Sequence, residues 1–111
     1  MRQLIKVFKA LSDETRIRML KILLEKESLC VCEVMQALNI FQTRASRNLR
    51  ILEEAGFVVS ERKGTWVHYS INQANEYCKS IEALLKGWLS KDTQIIEDRT
   101  RLSKAVRLGN S

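Results

Sequence analysis

Apolar residues recur every three or four positions through the first half of the chain, which is the spacing of one face of a helix. The pattern predicts a helix over residues 3–11 and a second over about 14–26. A third, short helix is predicted over 29–38. A fourth is predicted over 42–55, and the glycine that follows stands where helices commonly stop.

The period changes after the fourth helix. Residues 57–62 and 65–71 are rich in β-branched and aromatic side chains that partly alternate with polar ones, and Lys63 and Gly64 between them give a hairpin turn signal. Helical spacing then returns with a broad apolar face: Tyr77, Ile81, Leu84, Leu85, Trp88 and Leu89. This order predicts a mainly α fold with a β-hairpin wing, a winged helix-turn-helix closed by a long C-terminal helix.

Length and charge narrow the class of protein. The chain has 111 residues, which suits one domain. Lys and Arg number 19 against 13 Asp and Glu, and the net charge of +6 indicates a polyanionic partner, either nucleic acid or an anionic membrane surface. No apolar run approaches the roughly 20 residues that cross a bilayer, and residues 1–14 are amphipathic and charged, unlike a signal peptide. We expect a cytoplasmic protein without a membrane partner.

Three segments together resemble a known family. Residues 8–16 read FKALSDETR, residues 29–34 read LCVCEV, and residues 42–58 read QTRASRNLRILEEAGFV. In this order and spacing they resemble the ArsR/SmtB family of bacterial repressors, in particular its arsenic-responsive branch. The resemblance implies that residues 1–90 form a winged helix-turn-helix for DNA binding and dimerisation. We expect residues 91–111 to be a helical extension or tail.

The sequence departs from the family pattern at four positions. Phe41 stands where members often have Ser, Thr43 where they have Pro, and Asn48 where they have His, so the operator sequence that is read can differ. Met35 stands where some members have a third cysteine. The last helix also lacks the Asp and His ligands of members with a metal site there, so zinc or nickel sensing through that site is not expected.

The fourth helix carries the candidate DNA-reading side chains. Base edges in the major groove are read by residues near the N-terminal end of a recognition helix, and hydroxyl or Arg side chains hold phosphates. The hairpin tip is placed to reach neighbouring phosphates or the minor groove. The alternative without a DNA-binding role is a solvated helix face with salt bridges to Glu53 and Glu54. The candidate DNA-binding residues are Gln42, Thr43, Arg44, Ser46, Arg47, Asn48, Arg50, Arg62 and Lys63.

The first helix and the helix after the hairpin carry more apolar residues than one small core needs. A single helix in one groove binds weakly, and two-fold dimers that read half-sites about 34 Å apart are the usual solution. We therefore expect a homodimer, as the family implies. The residues assigned to its interface are Phe8, Tyr77, Ile81, Leu84, Leu85 and Trp88.

The odd count of three cysteines argues against a disulfide framework, and Cys30 and Cys32 are too close in the sequence for an ordinary structural bridge. Thiolates are soft ligands that select soft ions. The resemblance implies that Cys30 and Cys32 bind trivalent arsenic or antimony as the inducer, while DNA binding itself needs no cofactor. The third ligand stays open, with Cys78 one candidate.

The spacing of the two cysteines raises a geometric problem. Residues i and i+2 on a regular helix point about 200° apart, so Cys30 and Cys32 cannot share an ion while both lie in a helix. We therefore expect inducer binding to unwind the start of the third helix and to move the recognition helix that follows it.

Other functions remain open on the sequence. The cysteines could sense oxidants or reactive sulfur, with Cys30 or Cys32 pairing with Cys78. They could also be inert in a constitutive DNA-binding protein. The single histidine, His68, is expected to point outward from its strand. No paired carboxylates, phosphate loop or nucleophile with its base can be assembled, so an enzyme is not expected.

Overall fold

The computed structural model describes residues 1–107. Over these residues the chain forms six helices and a three-stranded sheet. The elements in chain order are α1 (Arg2–Leu11), α2 (Glu14–Leu23), β1 (Leu29–Cys30), α3 (Val31–Leu38), α4 (Gln42–Ala55), β2 (Val58–Lys63), β3 (Trp66–Ile71), α5 (Glu76–Gly87) and α6 (Thr93–Lys104). The predicted winged helix-turn-helix is confirmed: α3 and α4 form the helix-turn-helix, and β2 and β3 form the wing.

Strand β1 is absent from the sequence expectation, which placed its two residues in a helix. The sheet order is β1-β3-β2, and both pairs are antiparallel, with Leu29 opposite Tyr69 and Cys30 opposite His68. Cys30 is extended, with φ −83° and ψ 162°, and its backbone N–H donates to Glu33 Oε1 at 2.9 Å. The helix therefore begins at Val31 rather than at residue 29, because the preceding residues pair with the wing.

Helix α4 is held by its inner face and by its two ends. Ala45, Leu49 and Leu52 are fully buried in the core, as their spacing predicts. Asn39 before α4 and Gly56 after it both adopt the left-handed conformation, with φ 56° and 97°. Asn39 ends α3 and Gly56 ends α4, so these two residues form the turns that connect α4 to α3 and to the wing.

The C-terminal part differs from the expected single long helix. Helix α5 ends at Gly87, and Leu89 has a left-handed φ of 64°. The buried Lys21 supports this end, because its Nζ donates to the backbone oxygens of Leu85 at 2.7 Å and Trp88 at 2.6 Å. Trp88 and Leu89 therefore belong to a connection and not to the apolar face of a helix.

Helix α6 packs on α2 and α3. Its Asp98 is fully buried and accepts hydrogen bonds from Arg18, and its Arg101 donates to the backbone oxygen of Ala37 at 2.8 Å. Ile95 and Leu102 are buried on the same side. None of the helices in the described part of the chain is long and apolar enough to span a membrane.

Candidate DNA-binding face and cysteine site

One side of α4 is turned to solvent and lines a shallow groove. Four of its residues are exposed and Ser46 is half-buried, and no acidic residue lies in the first turn of the helix. We call this surface the reading face; it consists of Gln42, Thr43, Ser46, Arg47 and Arg50. Within residues 1–107, its arginines form no ion pair with Glu53 or Glu54. The alternative interpretation, a solvated helix face with salt bridges to these two residues, therefore lacks support.

Asn48 does not belong to this surface, which corrects the sequence expectation. Its side chain is 5 % exposed, its Oδ1 accepts a hydrogen bond from Arg16 Nη1 at 2.9 Å, and its Nδ2 donates to the backbone oxygen of Arg44 at 2.9 Å. Arg44 is exposed, but its Nη2 donates to Thr15 Oγ1 at 2.6 Å. Both residues therefore join α4 to α2, and the buried amide of Asn48 is not exposed to a base.

The tip of the wing carries two exposed cations, Arg62 and Lys63. Lys63 Nζ lies 3.5 Å from Glu61 Oε1, but both side chains are exposed, so this pair is weak and screened by salt. The wing is tied to α4 because Ser60 Oγ donates to Glu53 Oε2 at 2.6 Å. This hydrogen bond fixes the wing relative to the helix that carries the reading face.

Cys30 and Cys32 lie together at the junction of β1 and α3. Their Cα atoms are 5.4 Å apart, and their sulfur atoms are joined in a disulfide. This corrects two expectations: the two cysteines form a bridge although only one residue separates them in the sequence, and the sulfurs meet without any unwinding of α3. The reason is that Cys30 lies in the strand, outside the helix, so the about 200° separation of a regular helix does not apply. Both side chains are buried, at 0 % and 6 % exposure.

Residues distant in sequence surround the cysteine pair. Glu33 Oε1 accepts from the backbone N–H of Cys30 and from Arg107 Nε, each at 2.9 Å. Gln36 Nε2 donates to the backbone oxygens of Cys32 at 2.9 Å and Val106 at 2.6 Å. The segment after α6 is therefore held against the start of α3, beside the cysteines, a placement that no local spacing signals.

His68 is turned inward, against the sequence expectation. It is 5 % exposed, lies directly opposite Cys30 in the sheet, and its buried Nδ1 has no hydrogen-bond partner. Burial lowers the pKa of His68, and the nearby charges of Arg107 and Lys63 lower it further. The histidine therefore belongs to the surroundings of the cysteine pair.

Cys78 lies elsewhere in the core. Its side chain is fully buried, its Sγ donates to the backbone oxygen of Ala55 at 3.6 Å, and burial raises the pKa of its thiol to about 12. Because the thiolate is the reactive and ligating form, Cys78 is a poor ligand and a poor redox partner. Among the described residues, no group of three or more His, Cys, Asp or Glu is arranged to hold a metal ion.

A separate apolar surface lies on α1, on α5 and on the connection that follows α5. Phe8, Tyr77, Leu84 and Trp88 are between 46 % and 55 % exposed. Leu85, also expected there, is buried in the protomer core, and Ile81 is half-buried against it. The surface is therefore narrower than the sequence suggests.

The model of the arsR family of bacterial regulatory proteins matches residues 13–60, which run from the cap of α2 into the wing. The arsenic resistance transcriptional regulator ArsR1 of Pseudomonas putida is 42 % identical over 93 residues, covering 78 % of this chain and 71 % of that protein. The chain belongs to the arsR family.

Solved structures support the assignment to the arsR family. A homodimeric winged helix-turn-helix domain from Mycobacterium bovis, a possible ArsR-family regulator, has a TM-score of 0.68 at 29 % identity and covers 83 % of this chain and 82 % of its own. The AntR antimony-specific transcriptional repressor has a TM-score of 0.60 at 27 % identity, covering 70 % and 68 %. This family consists of DNA-binding regulators and not of enzymes.

Proposed function

We propose that this protein is a transcriptional repressor that trivalent arsenic or antimony releases from its operator by binding to Cys30 and Cys32. The observation that carries the proposal is the meeting of the two sulfurs at the start of α3, the helix that directly precedes the reading face. Two similar proteins support the choice of ion, since one is an arsenic resistance regulator and the other an antimony-specific repressor.

The reading face enters the major groove in this proposal. Gln42 and Arg47 are exposed near the N-terminal end of α4, where side chains reach base edges, and Thr43, Ser46 and Arg50 hold bases or phosphates beside them. Arg62 and Lys63 on the wing bind the neighbouring backbone. Because operator DNA is the partner, we place the protein in the cytoplasm.

A second copy of the chain completes the DNA-binding unit. The exposed apolar side chains of α1 and α5 need a cover, and the related domain from Mycobacterium bovis is homodimeric. In a two-fold dimer, two copies of α4 read half-sites about 34 Å apart. Leu84 and Trp88, each about half exposed in the protomer, are assigned to this interface.

The thiols must be free before they bind the metalloid. Reduction of the Cys30–Cys32 disulfide takes two electrons and two protons from a dithiol, which becomes a disulfide itself. Two thiols then replace two hydroxyl groups of As(OH)₃, forming two As–S bonds and releasing two waters. The ion links β1, which is paired with wing strand β3, to the first turn of α3. Arsenic or antimony then releases the DNA because the conformation that does not bind DNA binds the ion more tightly than the DNA-bound conformation does.

The test is fluorescence anisotropy with labelled DNA from the protein's own promoter, in a phosphine reductant. We expect arsenite or antimonite to release the wild-type protein and not the Cys30→Ser/Cys32→Ser variant. Cys78→Ala is the matched control and keeps the response, because its thiol lies elsewhere in the core. Release that survives in the double serine variant would sink the assignment of the ligands.

The disulfide itself favours a second candidate, a repressor that responds to oxidants or reactive sulfur through Cys30 and Cys32. The same assay without reductant separates the two functions. An effect of a polysulfide or peroxide on DNA binding that a dithiol reverses supports redox sensing, provided that arsenite has no effect in the assay with the phosphine reductant. Binding that ignores both signals indicates a constitutive DNA-binding protein.

A further inference from the structure

Phe41 is an apolar side chain held in water at the start of the recognition helix. It is 86 % exposed, which is far more than the other aromatic residues with large exposure, Phe8, Tyr77 and Trp88. Exposed apolar residues scattered singly are common, so position decides whether this one has a role.

The fold gains nothing from the Phe41 side chain. Phe41 is the N-cap residue of α4, and it makes no side-chain capping hydrogen bond. Ser, Thr, Asp and Asn are preferred at this position because their oxygen accepts from a free backbone N–H. The first helical hydrogen bond uses only the backbone, with Ala45 N–H donating to the Phe41 oxygen at 3.0 Å. Phe41 therefore provides neither a cap nor a buried ring.

The residues around Phe41 indicate that its partner is DNA. Gln42 and Thr43 follow it on the exposed reading face, Arg47 lies one turn further, and the first turn holds no acidic residue. The ring is thus the apolar end of a surface whose charge suits DNA. It lies at the end of α4 that enters the groove in the proposed function.

The major groove presents one apolar group to such a ring. Thymine carries a C5-methyl group there, and apolar side chains, Phe included, contact it. We propose that Phe41 is a specificity-determining residue that packs on the C5-methyl group of one thymine in each operator half-site. This inference rests on the proposed binding of operator DNA by α4.

The test combines a protein change with the removal of a single methyl group. Each thymine of the promoter half-site is replaced in turn by deoxyuridine, and anisotropy measures binding of the wild type and Phe41→Ala. We expect one position at which deoxyuridine weakens wild-type binding about fourfold for each half-site. Phe41→Ala should lose at least as much on the thymine operator, and should not respond further to deoxyuridine at that position.

The control is Val59→Ala, an exposed apolar residue on β2, which should keep the wild-type response to deoxyuridine. Thermal melting by circular dichroism should be unchanged in Phe41→Ala, since the ring is exposed. Wild-type binding that no deoxyuridine weakens overturns the role of Phe41 alone, as do two effects that simply multiply. Failure of the wild type to bind the promoter at all overturns the proposed function, and the inference with it.

Discussion

Arg16 Nη1 donates a hydrogen bond of 2.9 Å to Oδ1 of Asn48, and this bond joins α2 to the middle of α4. Asn48 is next to Arg47 in the chain, yet Asn48 is buried and Arg47 is exposed. One turn of the recognition helix therefore contains a residue that holds the helix in place and a residue that is free to meet DNA.

The first prediction separates these two roles. Asn48→Ala removes the acceptor of Arg16 Nη1, although Arg16 keeps its hydrogen bonds to the backbone oxygens of Ala10 and Lys9. It should lower the free energy of unfolding by about 1–3 kcal/mol, measured by urea denaturation. Arg47→Ala should leave stability within about 0.5 kcal/mol. It should weaken DNA binding and, if Arg47 holds a phosphate, lower the salt slope by about one unit per protomer. An equal loss of stability in both variants contradicts the division.

Much of this arrangement could be predicted from the sequence, because it is local. The helical period placed α4 and its inner face Ala45, Leu49 and Leu52, and the turn residues placed its end at Gly56. The role of Asn48 could not be predicted, because its partner Arg16 lies 32 residues away and a hydrogen bond leaves no periodic trace.

The cysteine site shows the same limit. Cys30 and Cys32 were recognisable as a pair, but their geometry depends on strand β1, which has only two residues and forms by pairing with β3. The contacts of Glu33 with Arg107 span 74 residues, and those of Gln36 with Val106 span 70. Such long-range contacts decide the site, and the chain reveals them only once it is folded.

A second prediction concerns the ion pair that fastens α6. Arg18 donates two hydrogen bonds of 2.9 Å to the carboxylate of Asp98, which is fully buried, and this pairing raises the pKa of Arg18. Asp98→Ala removes the carboxylate that pairs with the half-buried Arg18 and with Arg101, while Arg18 keeps its hydrogen bond to the backbone oxygen of Leu38. The substitution should cost about 3–5 kcal/mol of unfolding free energy. Arg99 lies on the same helix as Asp98 and pairs with Glu25 at the surface. Arg99→Ala breaks only this exposed pair and should cost less than about 1 kcal/mol. Similar costs for the two variants would argue against α6 as part of the cooperative fold.

A third prediction concerns the turn between α4 and the wing. Gly56 has a φ of 97°, and a Cβ there meets the side-chain amide nitrogen of Asn75. The same side chain caps α5, because its Oδ1 accepts from Cys78 N–H at 3.1 Å. Gly56→Ala adds this clash to the cost of the left-handed conformation and should therefore cost about 2–4 kcal/mol, with a lower melting temperature. Gly64→Ala is the matched control, since Gly64 also has a positive φ but open space around it. The control should lose only about 1–2 kcal/mol, the cost of the left-handed conformation alone.

The last prediction is a pH dependence that comes from Glu82. This carboxyl group on α5 is 4 % exposed, its Oε2 has no hydrogen-bond partner, and burial raises its pKa from 4.5 to about 8. Below pH 4.5 the group is protonated in both the folded and the unfolded chain. Between pH 4.5 and about 8 only the unfolded chain loses the proton, so the free energy of unfolding falls as pH rises through this window.

Glu82→Gln keeps the shape of the neutral side chain and removes the titration. Urea denaturation at pH 5 and pH 8 should show that the substitution stabilises the protein more at pH 8, by roughly 2–4 kcal/mol relative to pH 5. Glu76→Gln, which changes an exposed carboxylate on the same helix, should leave the pH profile of the wild type intact. A stability gain from Glu82→Gln that is equal at both pH values would mean that the carboxyl group is already ionised in the folded protein, and hence that a cation or water reaches it inside the core.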